Sequence, residues 1–174
     1  MQRAISRARR ATCEDQRRAG ERNRAMDDTM QNPGAVSPEL DEMVGRLLDN
    51  MLGSLAAGED PGVAIVVEDA GAHAYEALFC DDGAEQCLEA ATAFVAEHTG
   101  GVPDEGVARV ERYAIAYAGC VQLDGVYEDA VLVSFCERSM PCGYSAFVAF
   151  RGMGQGDDFM WSDPEPAGEE PSLF

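Results

Sequence analysis

Side chains able to do acid–base or nucleophilic chemistry are few and scattered in this sequence. It contains two histidines, His73 and His98, and six cysteines. A catalytic base needs a nucleophile within reach and a third group that orients it, and no spacing in the chain marks such a set. His73, Cys142 and the mid-strand carboxylate Asp129 are the candidates that remain, and whether the protein is an enzyme stays open.

The cysteines do not follow the pattern of a metal site. Zinc sites usually show paired short spacings such as CxxC, whereas the nearest pairs here are Cys80–Cys87 and Cys136–Cys142. We therefore predict no metal and no cofactor, and most of the thiols are expected to be small buried hydrophobic groups. Cys142 lies in a Pro-Gly turn, where it is either an exposed reactive thiol or an ordinary turn residue.

A glycine-rich run, Gly152 to Gly156, follows a predicted strand and superficially resembles a phosphate-binding loop. The GxGxxG pattern requires glycine at position 157, where the sequence has Asp157. Two acidic residues beside a phosphate would repel it, and the chain contains no lysine for a Walker motif. The run therefore predicts no nucleotide site.

The charge of the chain is strongly negative and unevenly distributed. The formal net charge is −19, with a sequence pI near 4.2. Eight of the 13 arginines precede residue 30, so the remainder carries 27 acidic residues against five arginines, a charge of −22. This excess disfavours nucleic acid and anionic membranes. It would suit a basic partner, but we favour solubility in a GC-rich or salt-exposed bacterium as its explanation.

The composition divides the chain into three parts. Residues 1–36 form a disordered Arg-rich leader, which is either a basic arm that binds an acidic surface, such as nucleic acid or the protein's own body, or a segment without a structural role. Residues 37–152 form a single domain, and residues 153–174 form a flexible acidic tail. No stretch approaches the roughly 18 apolar residues of a membrane span, and we expect a cytoplasmic protein with reduced thiols.

Two helices and five strands are predicted within the domain. Ser37-Pro38-Glu39 opens a helix whose apolar positions recur at helical spacing until Gly58. A second helix follows Asp82-Gly83 and stops at Gly100. Valine-rich residues 63–67 and the segment 72–79 predict two strands, and residues 143–151 predict another. The remaining two strands form the clearest tertiary element of the sequence.

Two β-rich runs, 112–123 and 126–137, are separated by Asp124-Gly125, which is typical of a type I′ hairpin. If Leu123 faces Val126, the alternation of side chains defines two apolar faces, both of which need cover. The tyrosine face carries Tyr113, Ile115, Tyr117, Leu132 and Cys136. The alanine face carries Ala114, Ala116, Ala118, Val131, Val133 and Phe135. The prediction is an α+β fold with a mostly antiparallel sheet of about five strands and two helices, in the order α-β-β-α-β-β-β.

Two groups of aromatic residues are candidates for partner binding. Tyr113 and Tyr117 lie on the tyrosine face, which meets either another layer or another subunit. Phe159, Met160 and Trp161 form an apolar cluster among acidic residues, and the cluster either docks into a partner's pocket or folds back onto its own domain.

The sequence favours a non-enzymatic cytoplasmic protein that acts by binding a protein partner or a second copy of itself. The alternative is a metal-dependent hydrolase with a carboxylate-lined site that uses His73 or Cys142. A third possibility is an acidic decoy that mimics DNA. No composition or motif distinguishes among the three further.

Overall fold

The computed structural model describes residues 36–81 and 83–174 and, as backbone only, the pair Arg9–Arg10. Apart from that pair and Val36, the predicted leader lies outside the described residues. The helices are α1 (Pro38–Ala57) and α2 (Ala84–Glu97). The strands are β1 (Arg9–Arg10), β2 (Val63–Asp69), β3 (Ala74–Phe79), β4 (Val110–Leu123), β5 (Val126–Glu137), β6 (Gly143–Arg151), β7 (Met160–Trp161) and β8 (Glu165–Glu170).

Helix α1 begins and ends as its sequence predicts. The Ser37 hydroxyl accepts a hydrogen bond from the Leu40 N–H at 3.1 Å, which satisfies one of the free donors of the first turn. Gly58 closes the helix in the left-handed conformation, with φ of 81°. The apolar stripe is buried along its whole length: Leu40, Met43, Leu47, Leu48, Met51, Leu52 and Leu55.

All the strands join one antiparallel sheet in the order β1-β7-β6-β5-β4-β2-β3, with β8 also paired to β6. The α+β class, the two helices and the order of the elements are confirmed. The sheet has more strands than the five predicted, because β1, β7 and β8 extend the edge beside β6.

The β4–β5 hairpin has the predicted register. Leu123 pairs with Val126 and Tyr117 with Leu132, and both Asp124 and Gly125 have positive φ, as a type I′ turn requires. Helix α1 packs on β4 and β5 and covers the alanine face. Helix α2 lies over the opposite side of β2 and β3, where the Phe94 ring is 5.6 Å from that of Tyr75. The sheet therefore forms the middle of three layers.

The region beyond residue 152 differs from the flexible tail predicted for 153–174. Strand β7 pairs with the end of β6, and β8 pairs with its start. The side chain of Phe159 is 2% exposed, and its ring lies 5.7 Å from that of Phe150. At the end of the chain, the Leu173 N–H donates to the Tyr113 hydroxyl at 3.2 Å. This region extends the sheet and covers part of the tyrosine face.

The glycine-rich run forms the loop between β6 and β7, where it docks on the end of helix α1. Gly154 donates its N–H to the Leu55 carbonyl at 2.9 Å. A Cβ atom placed on Gly58 would lie 3.1 Å from the Gly154 Cα, so the two backbones approach more closely than side chains allow. Gly58 and Gly154 therefore allow a close backbone contact between the end of helix α1 and the loop that leads to β7.

Candidate binding groove

The three candidate catalytic residues do not form one site. His73 lies in the β2–β3 turn, Cys142 in the β5–β6 turn, and strands β4 and β5 separate these two turns. Asp129 is an exposed residue of β5, opposite Cys120. No hydrogen bond or ion pair connects any two of these three described side chains. They cannot act together as nucleophile, base and orienting group in this arrangement.

His73 is instead part of a turn organised by the buried carboxylate of Asp69. One oxygen of Asp69 accepts the N–H groups of Gly71 at 2.7 Å and His73 at 3.0 Å, and the other accepts that of Ala108 at 3.0 Å. The His73 ring is mostly exposed, with Nδ1 3.2 Å from both oxygens. The bond from Ala108, followed by that from His73, lowers the pKa of Asp69 to about 2. This carboxylate is therefore occupied by structural donors.

The thiols of the β5–β6 turn lie near the tyrosine face. Cys136 is buried, its Sγ is 3.4 Å from the Cys142 carbonyl oxygen, and burial raises the pKa of its thiol. Burial also raises the pKa of Tyr113 to about 12. Both groups stay protonated at neutral pH, so Cys136 supplies no thiolate and Tyr113 no phenolate. Among the described residues, no group of three or more His, Cys, Asp or Glu side chains is placed to hold a metal ion.

The aromatic candidates for partner binding are divided between the core and the surface. Tyr113 is buried, and its ring lies 5.2 Å from that of Phe174. Phe159 is also in the core, so for this residue the structure shows the alternative in which the cluster folds onto its own domain. Tyr117 is half-buried, and Met160 and Trp161 are half-buried residues of β7. Met160 and Trp161 line an open cavity at one end of the sheet.

This surface, here called the β7 groove, is an open cavity of about 640 Å³ at the end of the sheet that carries the β4–β5 turn. Its apolar lining includes residues from both strands of the hairpin and from β7. Its acidic lining includes residues from the hairpin and the first residue of β8. The apolar residues are Leu123, Val126, Ala149, Phe150, Met160 and Trp161, the acidic residues are Asp124, Glu128 and Glu165, and Arg151 and Ser162 complete the lining.

Strand β7 is held firmly in the wall of the groove. Phe159, immediately before it, is anchored in the core. Ser162, immediately after it, donates its N–H to the Ala149 carbonyl at 2.8 Å and accepts the Ala149 N–H with its hydroxyl at 3.1 Å. The groove is therefore preformed, which lowers the conformational entropy lost when a ligand binds.

The acidic rim carries uncompensated charge. Glu128 pairs with Arg151 at 2.8 Å, whereas Asp124 and Glu165 form no ion pair with another described residue. Arg46 and Arg112 pair with Glu68 elsewhere. The five arginines beyond residue 30 cannot neutralise 27 acidic residues, and three of the five are already paired. The groove consequently has a negative rim above an apolar floor.

Arg138 is engaged with the backbone far from the groove. Its guanidinium donates to the carbonyls of Val110 at 2.7 Å and Thr99 at 2.8 Å, and it lies 4.3 Å above the Phe174 ring. Arg138 therefore contributes no charge to the groove, whereas Arg151, which pairs with Glu128, belongs to its lining.

Sequence reasoning found Met160 and Trp161 but missed the acidic members of the groove. The Asp-Gly pattern identifies Asp124 only as a turn residue, and no motif singles out Glu128. The hairpin register places Glu128 on the same side as Val126, so this part of the groove was available from side-chain alternation. The place of Glu165 depends on the pairing of β8, for which the sequence carries no alternating pattern.

Comparison of the chain with protein-family models, with curated proteins and with solved structures gave no match in any of the three. In the part of the chain that the structure describes, neither helix combines the length and the apolar character needed to cross a membrane.

Proposed function

We propose that this protein is a binding protein whose β7 groove holds a basic, extended segment of a protein partner. The observation that carries the proposal is the combination, in one preformed cavity, of an apolar floor, three carboxylates and the short strand β7 near the edge of the sheet. We also propose a cytoplasmic location, which the exposed thiols of Cys80 and Cys120 support because such thiols persist in reducing compartments.

The chemistry of the groove selects for arginine. A guanidinium forms directional hydrogen bonds with carboxylates and stacks on aromatic rings. Asp124, Glu128 and Glu165 offer the carboxylates, and Trp161 offers an aromatic ring. The existing pair of Arg151 with Glu128 is an example of the contact that we expect a ligand to make. An extended ligand that took the place of β1 would add main-chain hydrogen bonds along β7.

Trp161 makes the proposal directly measurable, because it is the only tryptophan in the chain. The full chain is titrated at low salt with a blocked ten-residue peptide in which Arg and Thr alternate, and the tryptophan fluorescence is followed. We expect a saturable change. A peptide with Glu in place of Arg is the ligand control and should give no saturable change.

A matched pair of variants tests the location. The groove variant D124N/E128Q/E165Q removes three charges from the rim, and Asn at position 124 preserves the positive φ of the turn. We expect it to weaken binding by about tenfold, because each screened charge pair contributes up to about 1 kcal/mol. The control E76Q/E85Q/E89Q removes three exposed carboxylates from β3 and α2. An equal loss of affinity in both variants would show that overall charge, and not the groove, binds the peptide.

A further inference from the structure

We infer that the arginine-rich segment at the start of this chain occupies the β7 groove in cis, so that the protein carries its own competing ligand. The inference rests on the proposed function of the groove. The observation that supports the inference is the antiparallel pairing of β1 with β7, in which Arg9 lies opposite Trp161 and Arg10 opposite Met160. Two arginines are thus placed in register with the two β7 residues that line the groove.

Charge complementarity supports the same occupant. Residues 1–30 contain eight arginines and five acidic residues, a net charge of +3, whereas the rest of the chain carries −22. No other part of the sequence has a basic excess. The arginines are Arg3, Arg7, Arg9, Arg10, Arg17, Arg18, Arg22 and Arg24.

The length of the connection fits an intramolecular contact. Ser37 is fixed near one end of the sheet by donating a hydrogen bond to Glu137, while Glu128 lies in the groove nine residues earlier on β5. At about 3.3 Å per residue this distance along the strand is roughly 30 Å. The 25 residues from 11 to 35 lie between β1 and the start of helix α1, and at up to about 3.3 Å per residue they are long enough to span this distance. Tethering within one chain raises the effective concentration of the segment at the groove.

A consequence follows for any partner in trans. A basic segment of another protein must compete with residues 1–30, so its apparent affinity is lowered by the fraction of molecules in which the groove is occupied. Binding of a partner would also release the arginine-rich segment from β7. A partner therefore binds only if its affinity for the groove is high enough to displace the arginine-rich segment.

The test uses full-length variants and the same alternating Arg-Thr peptide, with Trp161 fluorescence as the signal. R9E/R10E changes the two residues of β1, and R17E/R18E makes the same charge change outside β1. We expect R9E/R10E to bind the peptide about tenfold more tightly than the wild type, and R17E/R18E to stay within about twofold of it, because only the first removes the competing strand. Acrylamide quenching of Trp161 should increase in R9E/R10E alone.

The outcomes separate the inference from the proposed function. Equal peptide affinities in the wild type and R9E/R10E, or equal gains in both variants, would overturn occupation in cis while leaving the groove as a peptide site. Shielding of Trp161 that decreases on dilution would assign the contact to a second copy and would also overturn it. If the peptide does not bind R9E/R10E at all, the proposed function itself fails.

Discussion

Arg112 on β4 and Glu68 on β2 lie directly opposite each other, and their side chains form an ion pair that the protein buries. The exposed fractions are 9% for the Arg112 side chain and 6% for that of Glu68. Arg46 of helix α1 reaches the second oxygen of Glu68 at 3.5 Å. Within the described residues, the Arg112 Nε is the one buried side-chain nitrogen or oxygen without a hydrogen-bond partner. Glu68 of β2 thus forms ion pairs with both Arg46 of helix α1 and Arg112 of β4, and these contacts connect the three elements.

Removal of one member of this ion pair is expected to lower the free energy of unfolding substantially. Arg112→Met leaves the buried carboxylate of Glu68 with only the exposed Arg46 at 3.5 Å, and a loss of about 3 kcal/mol in the free energy of unfolding is expected. The double variant E68M/R112M removes both charges and should recover most of that loss. Urea denaturation followed by circular dichroism measures both values. Equal destabilisation in the single and double variants would mean that packing, and not charge, dominates at this position.

The Asp69 turn predicts a specific response to acid. Because backbone donors lower the pKa of Asp69 to about 2 from its ordinary value of 3.8, the folded state favours the charged carboxylate. Its contribution to stability is therefore complete above pH 4 and is lost as the pH falls towards 2. Asp69→Asn should lower the urea midpoint at pH 7 and reduce the slope of stability against pH between 4 and 2. Unchanged curves would show that the three N–H groups do not depend on this charge.

Alanine substitutions at two glycines, Gly58 and Gly45, are expected to change stability in opposite directions. Gly58→Ala places a side chain at positive φ and 3.1 Å from the Gly154 Cα, so we expect a loss of about 1–2 kcal/mol in stability. Gly45→Ala lies within helix α1, where an added Cβ would meet no atom within 4 Å, and a gain of about 0.5–1 kcal/mol is expected. Thermal unfolding of both variants should move the midpoint in opposite directions. A common sign would contradict the backbone contact between Gly58 and Gly154.

Burial predicts the order in which the thiols react. Cys80 and Cys120 are exposed, whereas Cys136 is buried and its pKa is raised by that burial. In the folded protein, Cys80 and Cys120 should be alkylated by iodoacetamide at least about tenfold faster than Cys136, which reacts only through local opening. Peptide mass spectrometry at timed intervals measures each site separately, and urea should abolish the difference. Fast labelling of Cys136 without urea would contradict its position in the sheet.

Much of the central fold was predictable because its signals are local. Asp124-Gly125 determines the turn, and the turn determines which residues of β4 and β5 face each other. The structure confirms the pair of Leu123 with Val126 and every following pair of the hairpin, as far as Arg112 with Glu137. Ser37 and Gly58 mark the ends of α1 through hydrogen bonding and backbone conformation, both of which depend on residue type.

The strands beyond residue 152 were missed for an equally physical reason. Strand β8 contains Glu, Pro, Ala and Gly, which are poor strand formers, and most of its residues are exposed. It belongs to the sheet through backbone pairing with β6, a contact that no side-chain pattern records. The groove could not be predicted either, because β7 and the start of β8 line it. Residues that the sequence distributes along 43 positions, from Leu123 to Glu165, meet only after that pairing forms.

The topology of the sheet has a consequence for how the chain folds. From β2 onwards, the pairings β2–β3, β4–β5 and β5–β6 join strands that are adjacent in sequence, while β2–β4 spans the whole of helix α2. Two locally formed units therefore meet along a single seam, where Val66 faces Ala114, and we expect closure of that long loop to set the kinetic barrier. Val66→Ala is expected to slow refolding in a stopped-flow experiment, and an effect confined to the unfolding rate would place the barrier elsewhere.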